Sequence, residues 1–201
     1  MSHLAGKHIL LIITGGIAAY KTLELIRRLR ERGVSVSAVL TRAATQFVTP
    51  LSVASLTGEK VYDDLFSLTD ETEMGHIQLS RAADLVVVAP ATADFLAKAA
   101  NGLAGDLAST LLLATDKAPA FVPAMNVRMW THPATQRNVA LLKAAGYAVL
   151  GPADGEMACG EFGPGRMLEP LEIIAELERL VVDGARASAP HGASARPLSG
   201  R

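Results

Sequence analysis

The single cysteine of the chain, Cys159, lies in a glycine-rich and apolar segment, residues 155–167. So much glycine disfavours a helix or a strand, and the segment is too apolar for an ordinary solvated loop. We therefore predict a mobile flap that brings a thiol to a reacting centre, where it could act as proton donor or nucleophile. The alternative is a small apolar residue packed under a loop.

Two further polar side chains could serve the same centre. His76 follows an acidic stretch and precedes an apolar strand, so nearby carboxylates could stabilise an imidazolium within reach of a ligand. Asn126 follows Pro-Ala-Met directly after a strand, and its carboxamide can donate to a carboxylate oxygen. The alternatives are a surface or core histidine and an asparagine that satisfies a turn.

A glycine pair, Gly15-Gly16, stands between an apolar strand and an amphipathic helix. Such a turn offers free N–H groups and the positive end of a helix dipole, which suits an anion. Tyr20 occupies the place where a P-loop needs its second glycine, and the dinucleotide pattern GxGxxG is absent, so ATP and NAD are disfavoured. A mononucleotide such as FMN fits best, although a purely structural turn stays open.

The elements that must position these groups alternate between strand and helix. Strands that are apolar on both faces belong to a parallel sheet covered on both sides. We therefore predict a three-layer, doubly wound α/β fold, Rossmann-like, with helices on both faces of a parallel sheet. The predicted strands are 8–14, 34–40, 60–62, 85–89, 121–122 and 147–150, and the predicted helices are 17–32, one ending at Gly58, 92–100, 106–115, 133–145 and 171–183.

The unusual turns all follow the carboxyl ends of predicted strands. They are residues 15–16, 41–44, 90–93 and 123–126. Because ligands of open α/β sheets collect at that edge, where strand order reverses, we expect one edge to hold the site.

Composition limits the class of protein. With 201 residues, 50% hydrophobic and 19% charged, one domain suffices, and a net charge of −1 with few aromatics argues against nucleic acid. One cysteine excludes a disulfide framework, and neither a signal nor a membrane span is evident, so we expect a cytoplasmic protein that binds no membrane. Acidic residues and long apolar runs stop at Gly184, which predicts a domain over 1–183 and a flexible linker or tail over 184–201.

Taken together, several motifs closely resemble the flavin-dependent cysteine decarboxylases, and among them the phosphopantothenoylcysteine decarboxylases. Pro-Ala-Met-Asn and Ala-Cys-Gly are the most specific. The segments that carry the resemblance are 14–21, 75–77, 89–93, 100–102, 123–130, 132–133 and 158–170. One departure is Gly105, which stands before Asp106 where relatives often carry a second aspartate, so the role of that first carboxylate is open.

The resemblance implies non-covalent FMN, no metal, and a site shared within a trimer that assembles into a dodecamer. It implies that His76 is essential, that Asn126 binds the substrate carboxylate with Met125 and Ala158 beside it, and that Cys159 donates a proton. A fused synthetase domain would explain the tail. The residues implied to hold FMN are Gly15, Gly16, Ile17, Thr41, Arg42, Ala43, Thr92, Ala93 and Asp94.

The implied reaction converts 4'-phosphopantothenoylcysteine to 4'-phosphopantetheine in coenzyme A biosynthesis. A cysteine carboxylate has no electron sink, so transient oxidation of the thiol to a thioaldehyde must precede loss of CO2, and re-reduction follows. His76 would assist thiol deprotonation and Cys159 would protonate carbon in the reducing step. Lys21 and Arg166 are candidates for the substrate phosphate, although both could be surface charges.

Three other functions stay open. A peptidyl-cysteine decarboxylase would stop at the enethiol and would need no acid such as Cys159. A flavin prenyltransferase shares the fold but has no evident use for His76 and Asn126. A flavin-binding regulatory protein would act by contact alone, without turnover.

Overall fold

The computed structural model describes residues 2–63, 75–156 and 160–188. A sheet of six parallel strands has the order β3-β2-β1-β4-β5-β6. The strands are β1 (His8–Ile13), β2 (Ser35–Leu40), β3 (Val61–Tyr62), β4 (Leu85–Ala91), β5 (Ala120–Pro123) and β6 (Ala148–Val149). The predicted doubly wound parallel sheet is confirmed.

Helices cover both faces of this sheet. Around α1, α2 and α8 one apolar core forms, and around α4, α5 and α7 another. The helices are α1 (Lys21–Glu31), α2 (Pro50–Thr57), α3 (Gly75–Ala82), α4 (Ala93–Ala100), α5 (Leu107–Ala114), α6 (Val127–Thr131), α7 (Pro133–Ala144) and α8 (Pro170–Ser188). Of these, α3 and α6 have no counterpart among the helices that the sequence predicts.

The central strand β1 shows why the sequence forms a buried sheet. Ile9, Leu11 and Ile13 pack into the first core, whereas Leu10 and Ile12 pack into the second. All five are fully buried. Successive side chains of a strand point to opposite faces, so an uninterrupted apolar run fits only a strand with helices on both sides.

Strand order reverses at β1, which pairs with β2 on one side and with β4 on the other. The chain leaves β1 toward β2 and leaves β4 toward β5, in opposite directions, so a crevice opens between the turns that follow β1 and β4. This is the edge at which the sequence places its unusual turns.

The helix predicted from Ile17 to Arg32 is divided in two. Ile17–Tyr20 is a 3-10 turn, and the α-helix α1 begins only at Lys21. Tight 3-10 turns are common at helix amino-terminal ends, because they fit a sharp change of chain direction. The amide groups of this first turn therefore lie at the strand edge.

The prediction that residues 155–167 form neither helix nor strand is wrong for the part that the structure describes. Strands β7 (Ala153–Glu156) and β8 (Phe162–Arg166) pair as an antiparallel hairpin. Gly163 and Gly165 have φ angles of 146° and 145°, which residues with a side chain rarely adopt. Glycine thus permits this strand rather than preventing it.

The change of composition at Gly184 does not end the last helix. Helix α8 continues through this position to Ser188, so the predicted tail begins inside a helix. The division into residues 1–183 and 184–201 itself stays a prediction. No helix in the described ranges is long and apolar enough to cross a bilayer.

Candidate functional site

Two adjoining cavities lie at the carboxyl edge of the sheet. The hairpin cavity, about 560 Å³, is bordered by the first helical turn, by Asn126 and by β8. The β2 cavity, about 720 Å³, is bordered by the turn that follows β2 and by the start of α4. Gly15, Thr92 and Met129 line both, so the two form one continuous region.

Close backbone packing fixes the two turns on the β1 and β2 side. A Cβ atom at Gly15 would lie 2.8 Å from the carbonyl carbon of Ala43 and 3.0 Å from its oxygen. Only glycine fits there without displacing the neighbouring backbone. The contact therefore holds Thr41 and Arg42 beside the first turn, as one wall of the β2 cavity.

Thr14 and Thr92 join the ends of β1 and β4. The Thr14 hydroxyl donates to the carbonyl oxygen of Pro90 at 2.5 Å and accepts from the backbone N–H of Thr92 at 3.3 Å. Thr92 in turn caps α4 by accepting from the N–H of Phe95 at 3.3 Å. Two helical amino-terminal ends thus converge on one region, which favours an anion. Thr14 is not among the predicted site residues, although a polar residue that ends an apolar strand is a usable signal.

A charged cluster that the sequence analysis did not anticipate lines the β2 cavity. Lys98 Nζ lies 3.0 Å from Asp94 Oδ2 and 3.5 Å from Asp106 Oδ2. The hydrogen bond and charge of Asp94 raise the pKa of Lys98 above its ordinary value, which burial alone would lower. Burial alone would raise the pKa of Asp106, but hydrogen bonds from Ser109 and the charge of Lys98 lower it. The i,i+4 spacing of Asp94 and Lys98 was the available signal.

Asp106 also has a structural role that accounts for its presence. Its side chain accepts from the Ser109 N–H at 2.7 Å and completes a capping box at the start of α5. The preceding Gly105 has no atom within 4 Å of a Cβ built on it, so the fold itself does not require glycine there.

Asn126 precedes the first residue of α6, and its side-chain oxygen and nitrogen differ in their hydrogen bonding. Its Oδ1 accepts from the Met129 N–H at 2.7 Å and so caps the helix. Its Nδ2 has no hydrogen-bond partner among the described residues, and the residue is exposed on the hairpin cavity. A cap of this kind holds the carboxamide in place and leaves a donor for a ligand.

The hairpin is attached to this part of the site by its backbone. The Met125 N–H donates to the Gly165 carbonyl at 3.0 Å. Met125 therefore lines the hairpin cavity together with Asn126 and Gly165.

Lys21, one of the two predicted phosphate ligands, is already engaged. Its Nζ donates to Glu169 Oε1 at 2.8 Å and to the Met167 carbonyl at 3.2 Å, and its side chain is only 10% exposed. Arg166 lies on the same cavity, 3.8 Å from Glu169, but is far more exposed. Of the two cations, Arg166 is the freer to meet a ligand.

All the residues predicted to hold a flavin line one or both cavities. Gly15, Gly16, Ile17, Thr92 and Ala93 line the hairpin cavity, and Thr41, Arg42, Ala43 and Asp94 line the β2 cavity.

The structure describes the remaining predicted site residues only in part. Position 76 belongs to the first turn of α3, but the structure does not describe the side chain of His76. Ala158 and Cys159 lie outside the described residues. Among the described residues no group of three acidic, histidine or cysteine side chains could hold a metal.

Comparison with known proteins identifies the family of this chain. The model of the Flavoprotein family matches residues 1–182. The chain belongs to the flavoprotein family. This flavoprotein is 52% identical over 179 residues to the coenzyme A biosynthesis bifunctional protein CoaBC of Vibrio vulnificus, a match that covers 89% of the chain. It spans only 45% of the length of that relative.

Solved structures of related proteins have the same fold. A PPC decarboxylase carrying a cysteine-to-serine mutation, complexed with pantothenoylaminoethenethiol, superposes on this flavoprotein with a TM-score of 0.79 at 32% identity. The match covers 88% of the chain and 98% of the other. The FMN binding protein AtHal3 superposes with a TM-score of 0.77 at 33% identity, and the match covers 89% of this chain and 97% of AtHal3.

Proposed function

We propose that this flavoprotein catalyses FMN-dependent decarboxylation of 4'-phosphopantothenoylcysteine to 4'-phosphopantetheine, a step of coenzyme A biosynthesis. The observation that carries the proposal is that Gly15 and Thr92 line both cavities, and that Asn126 lines one of them. The similarity to CoaBC and to PPC decarboxylase supports the choice of substrate.

The residues present fit FMN. A phosphate suits the converging amino-terminal ends after Gly16 and Thr92, with Arg42 as a nearby cation, and the small or apolar side chains Ala43 and Met129 suit a flat ring. When bound, FMN supplies a two-electron acceptor that later returns those electrons. AtHal3, a structural relative, is an FMN binding protein.

Asn126 binds and orients the substrate carboxylate in this proposal. Its Nδ2 is a donor without a partner among the described residues, and the cap to Met129 prevents the amide from rotating freely. A carboxylate held by a fixed donor is oriented for departure as CO2. Met125 and Ala158 complete the contacts around it, and Arg166 is the better placed cation for the substrate phosphate.

His76 and Cys159 handle protons in this proposal. His76 assists removal of the thiol proton, and Cys159 delivers a proton to carbon in the final step. The relative complexed with an enethiol is a cysteine-to-serine form of PPC decarboxylase, which is what a block at that step would leave.

In this proposal the site is shared between subunits of a trimer, and trimers assemble into a dodecamer in the cytoplasm. A fused synthetase domain is a further partner of the decarboxylase domain. Large exposed apolar side chains next to the site support a subunit contact there: Ile17 is 62% exposed and Tyr20 58%. Native mass spectrometry of the FMN-loaded chain checks the assembly.

The test of the reaction offers two substrates to the purified, FMN-loaded chain: phosphopantothenoylcysteine and a peptide ending in cysteine. CO2 release and product masses are followed. We expect CO2 and the saturated thiol product, 4'-phosphopantetheine, from the first only. Release from the peptide alone, with an enethiol product, would instead identify a peptidyl-cysteine decarboxylase.

A yellow protein that releases CO2 from neither substrate would overturn the proposal and leave a regulatory flavin-binding protein or a prenyltransferase. The matched control is the Asn126→Ala chain, which should bind FMN and release no CO2.

A further inference from the structure

A hydrogen-bonded chain of side chains lies at the opposite edge of the sheet, away from both cavities. His8 Nδ1 is 3.1 Å from the carbonyl oxygen of Ala82, and His8 Nε2 is 2.9 Å from Ser37 Oγ. Ser37 Oγ lies 2.6 Å from Glu59 Oε2. This relay, Ala82–His8–Ser37–Glu59, joins the start of β1 to β2, to the connection before β3 and to the end of α3.

The relay needs one proton more than its neutral histidine and ionised carboxylate supply. The Ala82 carbonyl only accepts, so Nδ1 must carry a hydrogen. Ser37 has a single hydroxyl hydrogen, and an ionised Glu59 can only accept it. Nε2 must then donate to Ser37 as well, which makes the ring an imidazolium.

Without that added proton one of the three contacts must fail. If Nε2 is bare, the Ser37 hydroxyl can serve either His8 or Glu59, but not both. Ser37 is 5% exposed, whereas Glu59 is exposed, so the bond to Glu59 is the one that water can replace.

Two further charged groups, Asp84 and Lys7, lie beside the start of β1. Asp84 accepts from the His8 backbone N–H at 2.8 Å and pairs with Lys7 at 3.2 Å. The backbone hydrogen bond from His8 is the main cause that lowers the pKa of Asp84, and the charges of Lys7 and His8 contribute too. Glu59 and Asp84 therefore offset the positive charges of His8 and Lys7.

We propose that His8, as an imidazolium, is a proton-dependent latch and a positioning residue for the helix that carries position 76. Its two ring nitrogens hold the last residue of α3 and, through Ser37, the connection between α2 and β3. One of these contacts lies just before β3 and the other lies at the end of α3. The positioning role rests on the function proposed above, whereas the latch does not.

The variant that isolates the latch is Glu59→Gln. A glutamine amide can donate to Ser37 Oγ, so Ser37 donates to Nε2, Nδ1 donates to Ala82, and all three bonds form with a neutral ring. The relay then closes without the added proton. Glu176→Gln is the matched control, since Glu176 forms an exposed ion pair with Arg179 on α8.

The direct measurement is the nitrogen chemical shift of the His8 ring in the FMN-loaded chain. We expect the doubly protonated ring to persist to a higher pH in the wild type and in Glu176→Gln than in Glu59→Gln, in which Nε2 should lose its proton first. Equal spectra for wild type and Glu59→Gln would overturn the latch.

Amide hydrogen exchange gives the second readout. His8→Gln and Ser37→Ala should each accelerate exchange in α3 about tenfold relative to the controls His3→Gln and Ser55→Ala, the loss expected of one net hydrogen bond. After correction for the intrinsic pH dependence of amide exchange, protection at residues 59–62 should rise with acid in the wild type but not in Glu59→Gln, because the Ser37–Glu59 bond is the one that needs the added proton. Unchanged exchange would contradict the latch even if every variant folds.

Decarboxylation separates the positioning role from the latch. His8→Gln should lower kcat several-fold and leave KM for phosphopantothenoylcysteine nearly constant. This loss of kcat should depend on pH when the substitution is made in the wild type, and it should not depend on pH when it is made in the Glu59→Gln variant. An altered ring spectrum with an unaltered kcat would overturn positioning only. A wild type that releases no CO2 would refute the proposed function, and the ring spectra would still decide the latch.

Discussion

Lys21 Nζ lies 2.8 Å from Glu169 Oε1, and this contact joins the first turn of α1 to the segment between β8 and α8. The lysine is nearly buried and the glutamate is half exposed, so the pair differs from an ordinary surface salt bridge. Both residues also line the hairpin cavity. The pair therefore belongs to the wall of the site.

We expect Glu169→Gln to lower the free energy of unfolding by about 1 kcal/mol, because a buried ammonium loses its counter-charge while solvent screens part of the loss. Adding Lys21→Met should recover much of that loss, since the stranded charge is removed. Urea unfolding measures both, with Glu176→Gln as an exposed control. A double variant less stable than Glu169→Gln alone would contradict this account.

Substitutions of Asn126 can separate its role as the cap of α6 from its proposed role in binding the substrate carboxylate. Asn126→Asp keeps an oxygen that can cap α6, so we expect stability within about 0.5 kcal/mol of wild type. It replaces the Nδ2 donor by a carboxylate that repels the substrate carboxylate, so CO2 release should fall at least about a hundredfold, equivalent to roughly 2.7 kcal/mol. Thermal unfolding and a CO2 assay measure the two effects.

Asn126→Ala should lose both roles, with about 1 kcal/mol of stability from the lost cap. Substantial turnover by Asn126→Asp would show that the carboxamide does not bind the substrate carboxylate.

Cys159→Ser tests the proposed proton donor. A serine hydroxyl is a far weaker acid than a thiol, whose ordinary pKa is about 8.5. The variant should still release CO2 but should accumulate enethiol in place of phosphopantetheine. Mass spectrometry of the products and the visible spectrum of the flavin decide the outcome, and a normal yield of saturated product would refute the role.

Much of the fold follows from patterns that the sequence shows directly. Apolar runs such as residues 8–14 and the glycine turn after them specify buried parallel strands and the binding edge, because burial on both faces has few other solutions. The contact between Gly15 and Ala43 then follows from strand order.

What the sequence could not predict depends on pairing partners. Strand β8 contains Gly163, Pro164 and Gly165, which locally oppose a strand, yet it pairs with β7 and bonds to Met125. The pairing of Lys21 with Glu169 likewise joins residues far apart in the chain, and local pattern carries no sign of it. Tertiary contacts override local propensity at such positions.

The acid limb of the stability curve should depend on Asp106. Its folded pKa lies below the ordinary 3.8, so its contribution is present above 3.8 and is lost as the pH falls through the lower folded value. Asp106→Asn keeps a capping oxygen but removes the charge. The stability difference from wild type should shrink as the pH falls from about 5 to about 3, and it should stay below about 1 kcal/mol because a third of the side chain is exposed.

Urea unfolding over that pH range measures this difference, with the exposed Asp154→Asn as control. A difference between wild type and Asp106→Asn that grows toward low pH would contradict the assigned direction of the shift.

The two glycines of the first turn should respond differently to alanine. A Cβ at Gly15 meets the Ala43 backbone at 2.8 Å, so Gly15→Ala should cost about 1–3 kcal/mol of stability and distort the site. A Cβ at Gly16 meets only the Thr92 methyl at 3.7 Å, and its φ of 173° is ordinary extended backbone. Gly16→Ala should therefore fold normally yet bind FMN about tenfold more weakly, roughly 1.4 kcal/mol, since the methyl group stands where a phosphate must approach the turn amides. Urea unfolding of the FMN-free chains and fluorescence titration with FMN separate the two effects, and wild-type affinity in Gly16→Ala would place the phosphate elsewhere.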